Sequence, residues 1–318
     1  KLDPSYAIGT AYIKDLGPAG HFGRGKYFIV EADEYSTCPL TSPIPRFLWQ
    51  NPDILILTNI EYDHPDAFSD MNDLKSAFTK FASRIKKDGV LIACADDNYA
   101  REVAVRSDGS KISYGFSPRA DFSINKYYFG DNVSFMNVVS GEIDLGEFMI
   151  RLSGRHNLLN ALGSAIAANF LGLSWADIKN YLKLFSGSNR RFEKIYSLNN
   201  LILFDDYAHH PSEIKATISA FKSWYPDKKL IVIFQPHTYS RTKSLLAEFA
   251  GSFVQADQAV ICDIYASARE SVDKSISAEM LISMANKIKN NTVYRKDRQA
   301  VTSHLQSVLR GDELVVTM

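Results

Sequence analysis

The regular alternation of short apolar runs with longer segments of helical period constrains this chain more than any other feature. Runs at 27–30, 54–57, 90–93, 201–204, 230–234 and 259–262 are of strand length. Most are continuous rather than alternating, as in strands covered on both faces. Between them, segments 71–85, 157–171, 175–184, 211–224, 240–250 and 278–289 repeat apolar residues at spacings of three and four, the stripe of an amphipathic helix. Strand then helix, repeated, predicts an α/β fold with a mostly parallel sheet covered by helices. Segment 112–150 departs from this pattern. It is rich in Phe, Tyr and Val and is broken at Gly130-Asp131-Asn132 and Ser140-Gly141, which predicts a small region of antiparallel hairpins.

A chain of 318 residues exceeds the comfortable size of one hydrophobic core, so two domains are expected. The small polar cluster Ser186-Gly187-Ser188-Asn189 offers a linker. It divides the chain into domains 1–187 and 188–318, the second Rossmann-like. Lys plus Arg and Asp plus Glu both number 36, so no global field is available to attract nucleic acid or an anionic membrane. Cys38, Cys94 and Cys262 form no C-x-x-C pair, which fits a reduced, cytoplasmic setting. No apolar run approaches the roughly 20 residues of a membrane span, and the start lacks a signal-peptide layout. The opening at Lys1 and the closing apolar run Leu314-Val315-Val316-Thr317-Met318 read as the ends of a segment cut from a longer chain.

In open α/β sheets, ligands bind beyond the carboxyl ends of the strands, and four such ends are unusually polar. Glu31-Ala32-Asp33-Glu34 follows the first run and offers hard oxygens suited to Mg²⁺, although carboxylates there could equally serve a helix start. Thr58-Asn59-Ile60-Glu61-Tyr62-Asp63-His64 follows the second. It sets His64 among carboxylates at the same edge of the sheet, as a metal ligand, a phosphate contact or a merely solvated imidazole. Asp205-Asp206-Tyr207-Ala208-His209-His210-Pro211-Ser212-Glu213 is a well-formed helix start. Its two His and two Asp exceed what capping needs and point to ligand contact. Gln235-Pro236-His237-Thr238-Tyr239-Ser240-Arg241-Thr242 combines a helix N-terminus with Arg241, a place for phosphate or carboxylate. Off the strand ends lie Gly154-Arg155-His156-Asn157-Leu158-Leu159-Asn160 and Asn189-Arg190-Arg191-Phe192. Asn edges can read adenine and Arg can reach a polyphosphate, or Asn157 simply caps a helix.

These six motifs, in this order, resemble the Mur ligase series. The likeness runs over nearly the whole chain and is greatest to the branch that joins L-alanine to UDP-N-acetylmuramate. The resemblance implies an ATP-dependent enzyme that transfers the γ-phosphate of ATP to the substrate carboxylate. The resulting acyl phosphate is then attacked by the amino group of L-alanine. It assigns Glu31 and His64 to Mg²⁺, Asn157 and Asn160 to the adenine of ATP, Arg191 to phosphates and Asp206 to ribose. Tyr207, His209, His210, His237 and Arg241 are assigned to the amino acid and muramyl substrates, with His64, His209 and Arg241 as the catalytic set. Residues 1–187 become an N-terminally truncated central ATP-binding domain and 188–318 a slightly shortened C-terminal domain. A homodimer is left open.

Two departures from the family pattern stand out. Thr238 occupies a position that some members fill with Arg, which leaves Arg241 as the cation of that turn. No G-x-x-x-x-G-K-[ST] phosphate-binding loop occurs, and the family places that loop ahead of the point where this sequence opens. A sister ligase that attaches a recycled tripeptide, or a non-catalytic fragment of either enzyme, are the alternatives. A zinc hydrolase built from His64, His209, His210 and Asp206 is a further option. A nicotinamide dehydrogenase is set aside because G-x-G-x-x-G is absent.

Overall fold

The structure is a computed structural model and describes residues 2–38, 41–63, 67–130, 133–266 and 270–318. It resolves into two compact units, Lys1–Ser186 and Gly187–Met318.

The first unit begins with β1 (Ser5–Ile13), β2 (Gly17–His21), β3 (Phe28–Val30), β4 (Ser36–Cys38) and β5 (Ser42–Pro45). There follow β6 (Ile54–Leu57), α1 (Met71–Ala82), β7 (Val90–Cys94), α2 (Asn98–Arg106) and β8 (Ser110–Gly115). β9 (Phe122–Gly130), β10 (Val133–Ser140), β11 (Ile143–Ile150), α3 (Arg155–Phe170) and α4 (Trp175–Leu182) complete it. Six strands form its main sheet in the order β11-β10-β9-β8-β7-β6. β6, β7, β8 and β9 run parallel, and β9, β10 and β11 are the antiparallel meander expected from segment 112–150.

The pleat sends alternate residues to opposite faces. Val90, Ile92 and Cys94 pack with Leu158, Leu162 and Ile166 of α3, whereas Leu91 and Ala93 pack with Leu74, Ala77 and Phe81 of α1 and with Val103 of α2. Close approach of α3 to the sheet depends on Gly163, where a Cβ would lie 3.1 Å from the buried Tyr114 ring. α1 ends before the expected residue 85. Asp70 caps its start by accepting the Asn72 and Asp73 amides. After Ala82 the chain tightens, with Arg84 N bonding Phe81 O and Ile85 N bonding Ala82 O.

The run 27–30 differs from expectation. Rather than a buried strand of the main sheet, β3 joins a separate sheet in the order β2-β1-β3, where Phe28 is 64 % exposed. Among the described residues it pairs only with β1, and all three of its residues are exposed, so its apolar character does not translate into burial.

The second unit comprises β12 (Glu193–Leu198), β13 (Leu201–Asp205), α5 (Pro211–Trp224), β14 (Leu230–Phe234), α6 (Tyr239–Ser244) and α7 (Leu246–Ala250). It continues through β15 (Gln258–Ile261), α8 (Ala278–Ile288), β16 (Thr292–Tyr294), α9 (Arg298–Val308) and β17 (Leu314–Thr317). The segment expected as one helix over 240–250 is two, broken at Leu245, whose backbone (φ −113°, ψ 25°) leaves the helical region. The sheet order is β12-β13-β17-β14-β15-β16, with β12 antiparallel and the other five strands parallel.

The closing apolar run thus lies between β13 and β14. Phe204, Val232, Ile261 and Val316 face α5, α7 and α8, while Ile231, Val260 and Val315 face α9. The turn into β17 is held by Glu313, which is 1 % exposed. Its carboxylate accepts the backbone N–H groups of Arg310, Gly311 and Asp312 at 2.9–3.2 Å. Burial alone would raise the pKa of this group, but the amides of Arg310 and Gly311 outweigh it and hold the carboxyl below its ordinary value. On α9, His304 Nδ1 accepts from Arg295 Nη2 at 2.9 Å and Nε2 lies 3.2 Å from Gln258 Oε1. Burial first, and then the Arg295 charge, lower its pKa.

Two outcomes follow. Glu313→Ala orphans three amides at the entry to a central strand and is expected to destabilise the second unit by about 3 kcal/mol, read by urea denaturation. His304 binds its proton more readily unfolded than folded, so its contribution is complete above pH 6.5 and is lost as pH falls toward the lowered folded value. Stability measured between about pH 7 and 5 should decline, and His304→Gln should flatten that slope.

Candidate active site

The polar residues singled out in the sequence lie at strand ends in both units, and many of them hold backbone as well. In the first unit Glu31 is exposed immediately after β3, and its Oε2 accepts the Gly9 N–H at 2.6 Å. Asp33 is engaged structurally, accepting Tyr35 N at 2.9 Å and pairing with Arg46 at 2.5 Å. Because β3 lies outside the six-stranded sheet, Glu31 and the 58–63 loop after β6 do not share a sheet edge, contrary to expectation. His64 lies outside the described residues.

The 58–63 loop is braced from the turn between β7 and α2. Asp97 accepts Ile60 N at 3.4 Å and caps α2 through Ala100 N at 2.7 Å, and burial pushes its carboxyl pKa up. Neither Asp97 nor its role was visible in sequence, because the brace joins two loops 37 residues apart.

α3 is preceded by Gly154 at its N-cap, whose φ of 96° is open to glycine. Asn157 does not cap the helix. Its Nδ2 donates to Ser153 O at 2.6 Å. Asn160, one helical turn further on, is exposed, and residues three apart share a helix face.

In the second unit, Arg190 and Phe192 adopt left-handed backbone (φ 58° and 52°), a strained pair for residues with side chains. The surroundings over-determine the turn. Phe192 stacks on Phe221 with ring centroids 3.9 Å apart, and Phe192 N donates to Asp206 Oδ2 at 2.7 Å. Arg190 Nε pairs with Asp205 at 2.9 Å. The guanidinium groups of Arg190 and Arg191 stand 5.0 and 5.2 Å from the centre of the Tyr207 ring, which is 47 % exposed. Two cations and an aromatic face therefore crowd one patch, an arrangement that can receive an anionic group.

Asp206 is 6 % exposed, and every bond observed for it is to a protein donor: Phe192 N, Ala208 N and Thr217 Oγ1. Burial raises its pKa, opposed by the amides of Phe192 and Ala208, the Arg191 charge and the Thr217 hydroxyl. His210 also has a structural role that the sequence reading missed. It is the N-cap of α5, bonded through Nδ1 to Ser212 and completed as a capping box by Glu213. His209 Nδ1 donates to Tyr207 O at 2.9 Å and lies 3.5 Å from Glu213. This leaves Nε2 as the acceptor nitrogen of the neutral ring.

His237 is exposed and stacks on Tyr265 (5.5 Å, 19°), while Arg241 is 7 % exposed within α6. The helix N-terminus expected to welcome an outside anion is engaged by the Glu270 carboxylate, which accepts Tyr239 N and Ser240 N. Among the described residues, no three His, Cys, Asp or Glu side chains are grouped to hold a metal ion. The capping role of His210 and the burial of Asp206 remove two ligands from the zinc-hydrolase alternative.

Comparison with known proteins follows the same division of the chain. Residues 24–168 match the Mur ligase middle domain and 190–318 match the Mur ligase glutamate ligase domain. A UDP-N-acetylmuramate–L-alanine ligase of Desulfitobacterium hafniense is 35 % identical over 317 residues, covering 100 % of this chain and 68 % of that protein. The chain belongs to the Mur ligase family. The same-named Mur ligase of Caldanaerobacter subterraneus is 36 % identical and is covered to 66 % of its length, so this chain spans about two thirds of such relatives. The fold is shared with the UDP-N-acetylmuramate–alanine ligase MurC of Thermotoga maritima, with a TM-score of 0.74, 22 % identity and coverage of 99 % and 65 %. It is shared equally with MurF of Acinetobacter baumannii, with a TM-score of 0.75, 16 % identity and coverage of 99 % and 67 %. Among the described residues no helix is long and apolar enough to cross a membrane.

The site yields one stability test. Asp206→Asn replaces an acceptor of three bonds by a group that must present N–H to a donor. A loss of about 1–3 kcal/mol in unfolding free energy of the second unit is expected, together with loosening of the Arg190–Phe192 turn. Unchanged stability would show that the carboxylate is not what holds that turn.

Proposed function

We propose that this chain is the central and C-terminal body of an ATP-dependent ligase that joins L-alanine to UDP-N-acetylmuramate in peptidoglycan precursor synthesis. The observation that carries this reading is identity of about one third, sustained over the whole chain, to ligases of that name. The patch of Arg190, Arg191, Tyr207 and His209 supports it independently, since a reaction between polyphosphate and carboxylate needs cations where negative charge accumulates.

In the proposed reaction the muramyl carboxylate oxygen attacks the γ-phosphorus, the bond to the β-phosphate oxygen breaks, and ADP leaves. The amino group of L-alanine, deprotonated, then adds to the acyl carbon. Collapse of the tetrahedral intermediate expels phosphate and leaves the amide. Arg191 is assigned to phosphate, Asn160 and Asn157 to adenine, and Tyr207, His209, His237 and Arg241 to the amino acid and muramyl groups. His209, with Nδ1 committed to the Tyr207 carbonyl, is oriented to accept a proton or hydrogen bond at Nε2. Asp206 and His210 act on substrates through the loop they hold, Asp206 at the ribose side.

Residues 1–187 are proposed as part of the ATP-binding central domain and 188–318 as part of the C-terminal domain. Glu31 and His64 are the proposed Mg²⁺ residues. The exposed Glu31 carboxylate fits an ion that keeps several waters and takes only one or two protein oxygens. Bound there, Mg²⁺ would offset charge on the phosphoryl oxygens. Use of ATP and a nucleotide sugar agrees with a cytoplasmic location.

Phosphate release is the direct test, measured for this chain and for a version extended to the length of the relatives. Release by the extended enzyme should require ATP, UDP-N-acetylmuramate and L-alanine together, with little or none from residues 1–318 alone. Equal activity of the two versions, or a higher kcat/KM with a tripeptide than with L-alanine, would contradict the proposal.

A further inference from the structure

The turn after β14 has to be held in a conformation that its own residues disfavour. Thr238 sits at φ 70°, a left-handed backbone that costs a side-chain-bearing residue on the order of 1 kcal/mol or more. The helix that follows, α6, has only six residues, too few to fix its own start by cooperativity. Its first amides also lack partners within the helix.

The segment after β15 supplies what is missing. Thr238 N bonds Tyr265 O at 3.0 Å and Tyr265 N bonds Pro236 O at 2.8 Å, while Gln235 Nε2 bonds Asp263 O at 3.3 Å. The His237 ring lies flat on the Tyr265 ring. Beyond this zipper, Glu270 accepts Tyr239 N and Ser240 N with one carboxylate oxygen each. Asp273 then pairs with Lys243 on the same helix at 3.0 Å.

We propose that Glu270 is a positioning residue for the substrate-facing turn 235–242: its carboxylate sets where α6 begins and thereby the direction in which His237 and Arg241 present their side chains. The inference rests on the function proposed above. A carboxylate at the positive end of a short helix is favourable in itself, and two amides shared between its two oxygens fix rotation as well as position. Without it the Tyr239 and Ser240 amides lose their acceptor, and the strained Thr238 is held only by Tyr265 and by its own Oγ1 cap on Arg241 N. Arg241, one turn into the helix, moves with that start.

The test uses the extended enzyme and two variants, Glu270→Ala and Glu270→Gln, the second keeping the shape and one acceptor oxygen. Displacement of the turn should raise KM for L-alanine or UDP-N-acetylmuramate about 10- to 100-fold in Glu270→Ala. KM for ATP should stay within about twofold, and Glu270→Gln should fall between Glu270→Ala and the parent. Hydrogen exchange should show lost protection at the Tyr239 and Ser240 amides. Unchanged KM values with unchanged protection would overturn the proposal. So would a uniform loss that includes the ATP constant and the melting temperature. If the parent enzyme joins no L-alanine to UDP-N-acetylmuramate, the function reading fails, and the exchange measurement still decides whether Glu270 holds the turn.

Discussion

Insertion of β17 between β13 and β14 is the constraint on which the second unit depends. Leu314–Thr317 bonds to both neighbours in parallel register, and the ladder continues past its end through Asp206 N to Thr317 O, Gln235 N to Met318 O and Met318 N to Ile233 O. The five residues Leu314 to Met318 therefore fill the middle of the sheet and fix the first step of two polar loops, the one with Tyr207 and His209 and the one with His237 and Arg241. Because β13 and β14 flank β17, the loops that follow them leave the same edge of the sheet, the edge at which parallel sheets bind ligands.

Carboxylates recur as the means by which loops are held. Asp97 bridges Ile60 to α2, Glu313 gathers three amides ahead of β17, Asp206 ties the Arg190–Phe192 turn to the start of α5, and Glu270 seats α6. An ionised carboxylate accepts several bonds and donates none, which matches backbone N–H groups left over at turns and helix starts. The consequence for function is that rigidity around the candidate residues comes from charged groups that do not themselves need to meet substrate. A strained turn such as 190–192 persists only because such groups and the Phe192–Phe221 stack surround it.

Much of this was legible in the chain. The runs at 54–57, 90–93, 201–204 and 230–234 are strands, the helix over 211–224 has the expected ends, and the meander replaces the α/β rhythm where aromatic alternation predicted it. Local periodicity and turn chemistry act over a few residues, so sequence displays them directly. The run 27–30 forms a strand that stays exposed in a separate sheet, because apolar content reports what a strand can bury and not what covers it. For His210 and Asp206, a residue type suited to ligand contact is equally suited to capping and to accepting amides, and only the positions of Ser212, Phe192 and Thr217 separate the two uses.

By itself the sequence determined the α/β rhythm and the ordered motifs that identify a Mur ligase. These depend on spacing along the chain and on residue type, both of which survive without coordinates. Tertiary structure alone decided that β17 enters the middle of the second sheet, that β3 stands apart from the first, and that Glu270 rather than an outside anion occupies the start of α6. Each of these joins groups tens of residues apart, and the energy of such a contact depends on distance and burial, which no local pattern encodes.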